Sequence, residues 1–159
     1  MSDLNGLLDR LHAHDVEFVL VGGFAAVVYG GTLLTRDVDV CCRFTGTNLQ
    51  RIQAALANLH PVHRTRPDLP LALTPELCAS LKNLYLKTDW GPLDCLGEVK
   101  GVGNFEEALK HSVIVELPFG ECRVLSLEAL IRSKQAMNRE HDRITVRQLQ
   151  AIKEQERRP

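Results

Sequence analysis

No apolar run in the sequence approaches the roughly 18 residues that a membrane-spanning helix needs, so no membrane segment is expected. The opening stretch "MSDLNGLLDRLHAH" lacks the basic region, apolar core and small-residue cleavage site of a secretion signal, and a cytoplasmic location is the expectation. Cysteines are few and odd in number: Cys41, Cys42, Cys78, Cys95 and Cys122, with no Cys-x-x-Cys pair. That set speaks against a disulfide framework and a zinc site, and predicts reduced, mostly buried thiols. An excess of one charge is also missing. The net charge is −1, which gives the molecule no electrostatic footprint for a long nucleic acid. Residues 119–159 carry nine Lys/Arg against six Asp/Glu, and the first 118 carry ten against fourteen, a mild asymmetry that reads as a solvated helical surface. With no repeat, low-complexity tract or linker, the 159 residues are expected to form one domain around one core.

Periodicity then divides the chain. Leu4, Leu7, Leu8 and Leu11 fall at helical spacing in 3–13, with Ser2 or Asp3 as cap. "VEFVLV" (16–21) reads as a buried strand ending at Gly22-Gly23, "FAAVVYG" (24–30) as a short helix, and "RDVDVCCRF" (36–44) as a second strand. An amphipathic helix follows over 47–59. The stretch 63–76 holds Pro67, Pro70 and Pro75 and reads as an irregular connection or an excursion at a sheet edge. Strands are predicted at 83–88, 92–97, 112–117 and 122–126, a short helix near 104–110, a helix capped by Ser126, and a last helix over roughly 140–157. Strands and helices mixed in one core give an α/β or α+β domain.

The aspartates of "RDVDV" are the first chemical signal. Residues two apart in a strand share a face, with Cα atoms about 6.6–6.8 Å apart, so Asp37 and Asp39 lie together while Val38 and Val40 pack behind them. Two carboxylates that close repel each other and are costly to desolvate, which calls for a cation between them. A divalent ion such as Mg²⁺, commonly held by one or two carboxylates and substrate phosphates, meets that need. Asp-x-Asp alone is weak, because nine aspartates in 159 residues produce such a pair by chance in about every second chain. Gly22-Gly23, between strand and helix, adds to it. The glycines read either as a tight turn or as a place where backbone N–H groups approach an anion. Asp94, in the apolar run "GPLDCLGEV", makes a third carboxylate if its strand pairs beside the one holding Asp37 and Asp39. His14-Asp15 and His141-Asp142 lack the further ligands that a metal phosphohydrolase would need, and Trp90 reads as a hairpin-turn aromatic.

These residues carry a family likeness. "VLVGGFAAVVYGG…TRDVDV" resembles the glycine-pair and Asp-x-Asp signature of the nucleotidyltransferase superfamily, whose fold is shared with polymerase-beta-like enzymes, and Asp94 falls where that family's third carboxylate comes. "PLDCLGEVKGVGNFEEAL" and "RVLSLEALIRSKQAMNREHDRITVRQLQAI" look like the second half of small bacterial and archaeal nucleotidyltransferases related to the AbiEii-type toxins. The resemblance implies a mixed β-sheet flanked by helices, with further helices at the C-terminus. It implies transfer of a nucleoside monophosphate from a triphosphate such as ATP to an acceptor hydroxyl, with Mg²⁺ or Mn²⁺ as cofactor and pyrophosphate leaving. Gly22 and Gly23 would bind the triphosphate, joined by Thr35, Arg36 and Lys134. Asp37, Asp39 and Asp94 would ligate the metal, with Asp94 also helping to deprotonate the acceptor. Arg139 and Asp142 would form a helix–helix ion pair, with a phosphate contact as the lesser alternative for Arg139, and Lys134 has the alternative of a solvated helix lysine. Two features depart from the family. Gly23 stands where many members have serine, and the large additional helical region of many acceptor-binding relatives is missing, which points to an acceptor held by another subunit or partner. The resemblance leaves open an RNA end such as tRNA, a protein or a small molecule as acceptor, and an antitoxin or a second copy of the chain as partner. It equally allows a non-catalytic nucleotide-binding or toxin–antitoxin module on the same fold.

Overall fold

A computed structural model describes residues 2–157. The leucine spacing at the start forms α1 (Leu4–Ala13), capped by the Asp3 carboxylate, which accepts from the Gly6 N–H at 2.8 Å. β1 (Phe18–Val21) follows with all four residues buried, and α2 (Gly22–Val28) begins at the glycine pair itself, two residues earlier than predicted. β2 (Val38–Cys42) leads to α3 (Gly46–Leu56), whose cap is the Thr45 hydroxyl, and to a 3-10 turn at Ala57–Leu59. The proline-interrupted stretch is the edge excursion: β3 (Val62–His63) and β4 (Arg66–Pro70) form a hairpin with β4 outermost. An edge strand tolerates Pro67 and Pro70 because ladder N–H groups are not all needed there.

α4 (Pro75–Ser80) escaped the sequence reading. Its six residues are too few for a periodic signal, and it is set by the Thr74 cap with Pro75 in the first turn. β5 (Asn83–Thr88) and β6 (Gly91–Leu96) form a hairpin, with Asp89 and Trp90 at its turn as expected. A small ribbon, β7 (Glu98–Val99) with β8 (Gly103–Asn104), was not predicted, since two-residue strands carry no alternation. α5 (Phe105–Lys110), β9 (Ser112–Leu117), β10 (Gly120–Leu125), α6 (Leu127–Met137) and α7 (Glu140–Glu156) fall where the pattern put them.

Eight strands make one mixed sheet in the order β4-β3-β5-β6-β2-β1-β10-β9, with β2∥β6 and β1∥β10 parallel and the other pairs antiparallel. The expected helix-flanked mixed sheet is therefore present. Val38 and Val40 of β2, Leu93 and Cys95 of β6, and Leu84 and Leu86 of β5 are buried and alternate with less buried neighbours, so one face of these strands packs and the other stays accessible. The packed residues belong to a single cluster with Leu7, Leu8 and Leu11 of α1 and Leu49, Ile52 and Leu56 of α3. All five cysteines are buried free thiols. No helix among the described residues is long and apolar enough to cross a membrane.

One polar residue ties the start of β1 to the end of β2. Asn48, 1% exposed, accepts from the Glu17 N–H at 2.8 Å and donates to the Glu17 and Arg43 carbonyls at 3.0 and 2.8 Å. Removing it takes the side-chain partner from the part-buried Glu17 N–H and Arg43 carbonyl, while the Glu17 carbonyl keeps the Arg43 N–H at 3.4 Å. Asn48→Ala is expected to lower the unfolding free energy by about 2–3 kcal/mol in urea titration; a change below about 0.5 kcal/mol would show that water replaces the amide and that the tie is dispensable.

Candidate active site

The site is assembled by strand register. Val21 of β1 lies opposite Asp39 of β2, Asp39 opposite Asp94 of β6, and Asp94 opposite Tyr85 of β5, a row running straight across four strands. Residues directly paired in a sheet point to the same face, so the row sets Asp39 beside Asp94 on the accessible side. Asp37, two residues earlier and just ahead of β2, joins them: one carboxylate oxygen from each of Asp37, Asp39 and Asp94 lies within 4.8 Å of the others.

Gly22 follows Val21 at the end of that row, and two constraints hold it to glycine. Its φ is +72°, in the left-handed region, and a Cβ there would sit 2.8 Å from the Cβ of Asp39. The backbone at the start of α2 is thus pressed against the carboxylate cluster. The first turn of α2 has no side-chain cap, which leaves its N–H groups open. At Gly23 a Cβ would come 3.1 Å from the Thr35 hydroxyl. That hydroxyl donates to the Asp37 carbonyl at 3.1 Å and occupies the space beside the position where many relatives carry a serine.

Charge crowding shows in the titration of the cluster. Burial, then the neighbouring Asp37 and Asp94, push the Asp39 carboxyl up to about 7, with Lys134 opposing. Asp94 is also raised, by burial first, against the pull of the Arg64 guanidinium, with which it forms an ion pair. Lys134 is 6% exposed, so it is no solvated lysine; its ammonium lies 3.4 Å from a carboxylate oxygen of Asp142. Asp142 is fully buried and accepts from the Arg139 backbone N–H at 3.1 Å and from its guanidinium at 2.6 and 3.2 Å. Burial would raise the Asp142 carboxyl, yet these bonds and Lys134 hold it below the usual carboxylate range.

The expected helix–helix pair is therefore corrected. Arg139 and Asp142 close the N-terminus of a single helix, α7, and the ion pairs that join α6 to α7 are Lys134–Asp142 and Glu128–Lys153. The sequence reading missed this because Lys134 and Asp142 are eight residues apart across the turn between the two helices.

A cleft of about 720 Å³ opens over the row. Gly22, Gly23, Thr35, Arg36, Asp37, Asp39, Asp94 and Lys134 all line it, so the structure brings these eight residues to one place, with Arg139 beside them and Asp142 buried outside the lining. It adds Arg64, from the turn of the β3–β4 hairpin, and Tyr85, neither of which any linear motif marks. Val27, Leu33, Leu34 and Met137 add exposed apolar side chains to the lining.

The raised Asp39 carboxyl has a consequence for stability. Its folded value, about 7, lies above its ordinary 3.8, so the stability contributed by its protonated form is fully present below about pH 4 and is lost as the pH rises through about 7. In EDTA at pH 8, Asp39→Asn is expected to be more stable than the parent by ~2–4 kcal/mol, the gap closing toward pH 4. Paired denaturant titrations at the two pH values measure this, and an Asn variant that is less stable at pH 8 contradicts it.

No family model matches the sequence, and no curated protein sequence matches it. Solved structures do. The lincosamide antibiotic adenylyltransferase LnuA, crystallised with lincomycin, superposes with a TM-score of 0.64 at 18% identity, over 95% of this chain and 98% of that one. A Thermotoga maritima protein assigned to the nucleotidyltransferases, TM1012, gives 0.56 at 17% identity, over 91% and 88%. ANT(2″)-Ia, in complex with adenylyl-2″-tobramycin, gives 0.50 at 13% identity, over 92% and 94%. The mixed sheet, its flanking helices and these likenesses agree: the chain has the nucleotidyltransferase fold.

Proposed function

We propose that the protein is a divalent-metal-dependent nucleotidyltransferase that moves a nucleoside monophosphate from a nucleoside triphosphate, ATP in the first instance, to a hydroxyl of a small-molecule acceptor. The observation that carries this reading is the convergence of Asp37, Asp39 and Asp94 within 4.8 Å, against the Gly22 backbone and inside one cleft. The donor set fits the cofactor. Three hard carboxylate oxygens, crowded enough to raise two of the carboxyls, suit Mg²⁺ or Mn²⁺ and no soft metal. Asp37 and Asp39 would hold the ion and Asp94 would complete its ligands; when bound, it supplies charge neutralisation at the attacking and leaving oxygens.

The chain's own residues do the positioning. The N–H groups at Gly22 and Gly23 face the leaving pyrophosphate, with Lys134 set behind the cluster and fixed by Asp142. Thr35 and Arg36 flank the phosphates from the loop that leads into Asp37. Asp94 accepts the proton of the acceptor hydroxyl, because it lies on the side of the row away from Gly22, where an in-line attack must start. A small-molecule acceptor is favoured by LnuA, bound to lincomycin, and by ANT(2″)-Ia, bound to an adenylylated tobramycin. This chain spans 98% of LnuA, so a fold of this extent serves an antibiotic adenylyltransferase without a large additional helical region. The toxin–antitoxin module and a tRNA or protein acceptor rest on the sequence likeness alone.

Pyrophosphate release with each triphosphate and Mg²⁺, against a panel of hydroxyl acceptors that includes lincomycin, tobramycin and RNA, is expected to reveal turnover, with the adduct heavier by one nucleoside monophosphate. Asp39→Asn and Asp37→Asn should keep the fold and lose at least about 100-fold in rate. Triphosphate binding without turnover across the panel would favour the non-catalytic module, and an active Asp39→Asn would refute the assignment.

A further inference from the structure

Among the described residues, five Lys/Arg side chains line the cleft (Arg36, Arg64, Lys100, Lys134 and Arg139), and three of them form ion pairs. Lys134 and Arg139 both bond Asp142, which is fully buried and cannot release them without leaving its own charge unpaired. The third, Arg64, forms the ion pair that reaches the cluster directly. Its backbone N–H donates to the Tyr85 carbonyl at 3.0 Å, and Tyr85 is the strand partner of Asp94, so the hairpin turn is pinned one strand away from the carboxylate its side chain meets.

The pair is not built as a permanent bridge. A structural Arg–carboxylate pair is commonly a two-pronged fork. Here one terminal nitrogen of Arg64 donates to one oxygen of Asp94, while the buried Nε–H of Arg64 has no acceptor among the described residues. A buried donor left without an acceptor is a cost that a finished bridge would have removed. The Arg64 side chain is also 35% exposed and sits on the β3–β4 edge hairpin rather than in the core, so a path out of the pair exists.

We propose that Arg64 is a positioning residue that holds Asp94 as counter-ion in the ion-free cleft and yields it to a divalent cation, so that the third carboxylate joins the metal site last. The inference rests on the metal-site reading of Asp37, Asp39 and Asp94 given above. Its physical basis is competition. One carboxylate cannot serve a guanidinium and a divalent ion at full strength, and a positive charge fixed beside the site opposes the approach of another. The first ion contact then falls to Asp37 and Asp39, which form no ion pair with an arginine among the described residues, and Asp94 follows once the charge of ion and triphosphate outweighs that of Arg64.

The test needs no acceptor and no turnover. Mn²⁺ is titrated into the metal-free protein and the free aquo-ion is followed by electron paramagnetic resonance. Arg64→Gln is expected to bind Mn²⁺ about tenfold tighter than the parent, and Arg64→Lys, which keeps the charge, to stay within about threefold of it. In an Asp94→Asn background the Arg64→Gln change should tighten Mn²⁺ binding by less than about threefold, because the competed ligand is gone and only the through-space charge remains. Circular dichroism verifies folding, and Arg64→Met, which also removes the charge and is expected to tighten Mn²⁺ binding as the Gln variant does, keeps the test decisive if the Gln variant is unfolded. Equal or weaker Mn²⁺ binding by Arg64→Gln, or by Arg64→Met where the Gln variant is unfolded, overturns the latch while leaving the metal site standing. Absence of saturable Mn²⁺ binding in the parent overturns the metal site and the latch together.

Discussion

The parallel pairing of β2 with β6, in the register that sets Asp39 opposite Asp94, is the constraint on which the rest of the site depends. A slip of one residue would turn Asp94 into the core and bring Leu93 or Cys95 to the open face. That register is held from behind. Val38, Val40, Leu93 and Cys95 are all fully buried, so the apolar face fixes which residues the polar face presents. Burial first, and then the neighbouring Asp37 and Asp94 carboxylates, raise the Asp39 carboxyl, which is the cost of placing it in this register.

Around this cluster the fold distributes its cations unequally. On the α6–α7 side, Lys134 and Arg139 are immobilised by a buried aspartate that has no contact with solvent. With Asp142 between them they carry one net positive charge on that side. On the β3–β4 side, Arg64 makes a single bond to Asp94 and is partly exposed. Phosphoryl chemistry relies on prearranged charge, and a fixed positive charge near the phosphate cradle with a releasable charge near the attacking side would suit transfer along the row from Asp94 toward Gly22.

Much of this was legible in the sequence, for reasons of periodicity. The alternation in "RDVDV" put Asp37 and Asp39 on one face, and the apolar flanks of Asp94 made a strand whose partner had only to be guessed. The long helices and the cap at Ser126 follow from local signals. What stayed hidden is non-local. Nothing in "HRTRPDLP" distinguishes Arg64 from the exposed Arg66, because what separates them is which one the hairpin turn aims across β5. The start of α2 was misplaced because glycines ordinarily end or precede a helix, whereas here Gly22 opens it under pressure from Asp39. Asn48 lies within the predicted helix 47–59, yet its buried bonds go to residues whose proximity only the folded sheet creates.

The central claim is that three carboxylates and a glycine backbone form one site for a metal-bound triphosphate. A crystal soaked with Mn²⁺ and a non-hydrolysable ATP analogue tests it most directly, through anomalous density. The account predicts a manganese peak at roughly 2.1 Å from oxygens of Asp37 and Asp39, with Asp94 turned from Arg64 toward the ion and the terminal phosphates against the N–H groups of Gly22 and Gly23. Density for manganese or phosphates elsewhere in the cleft, with Asp37, Asp39 and Asp94 left unligated, would contradict it.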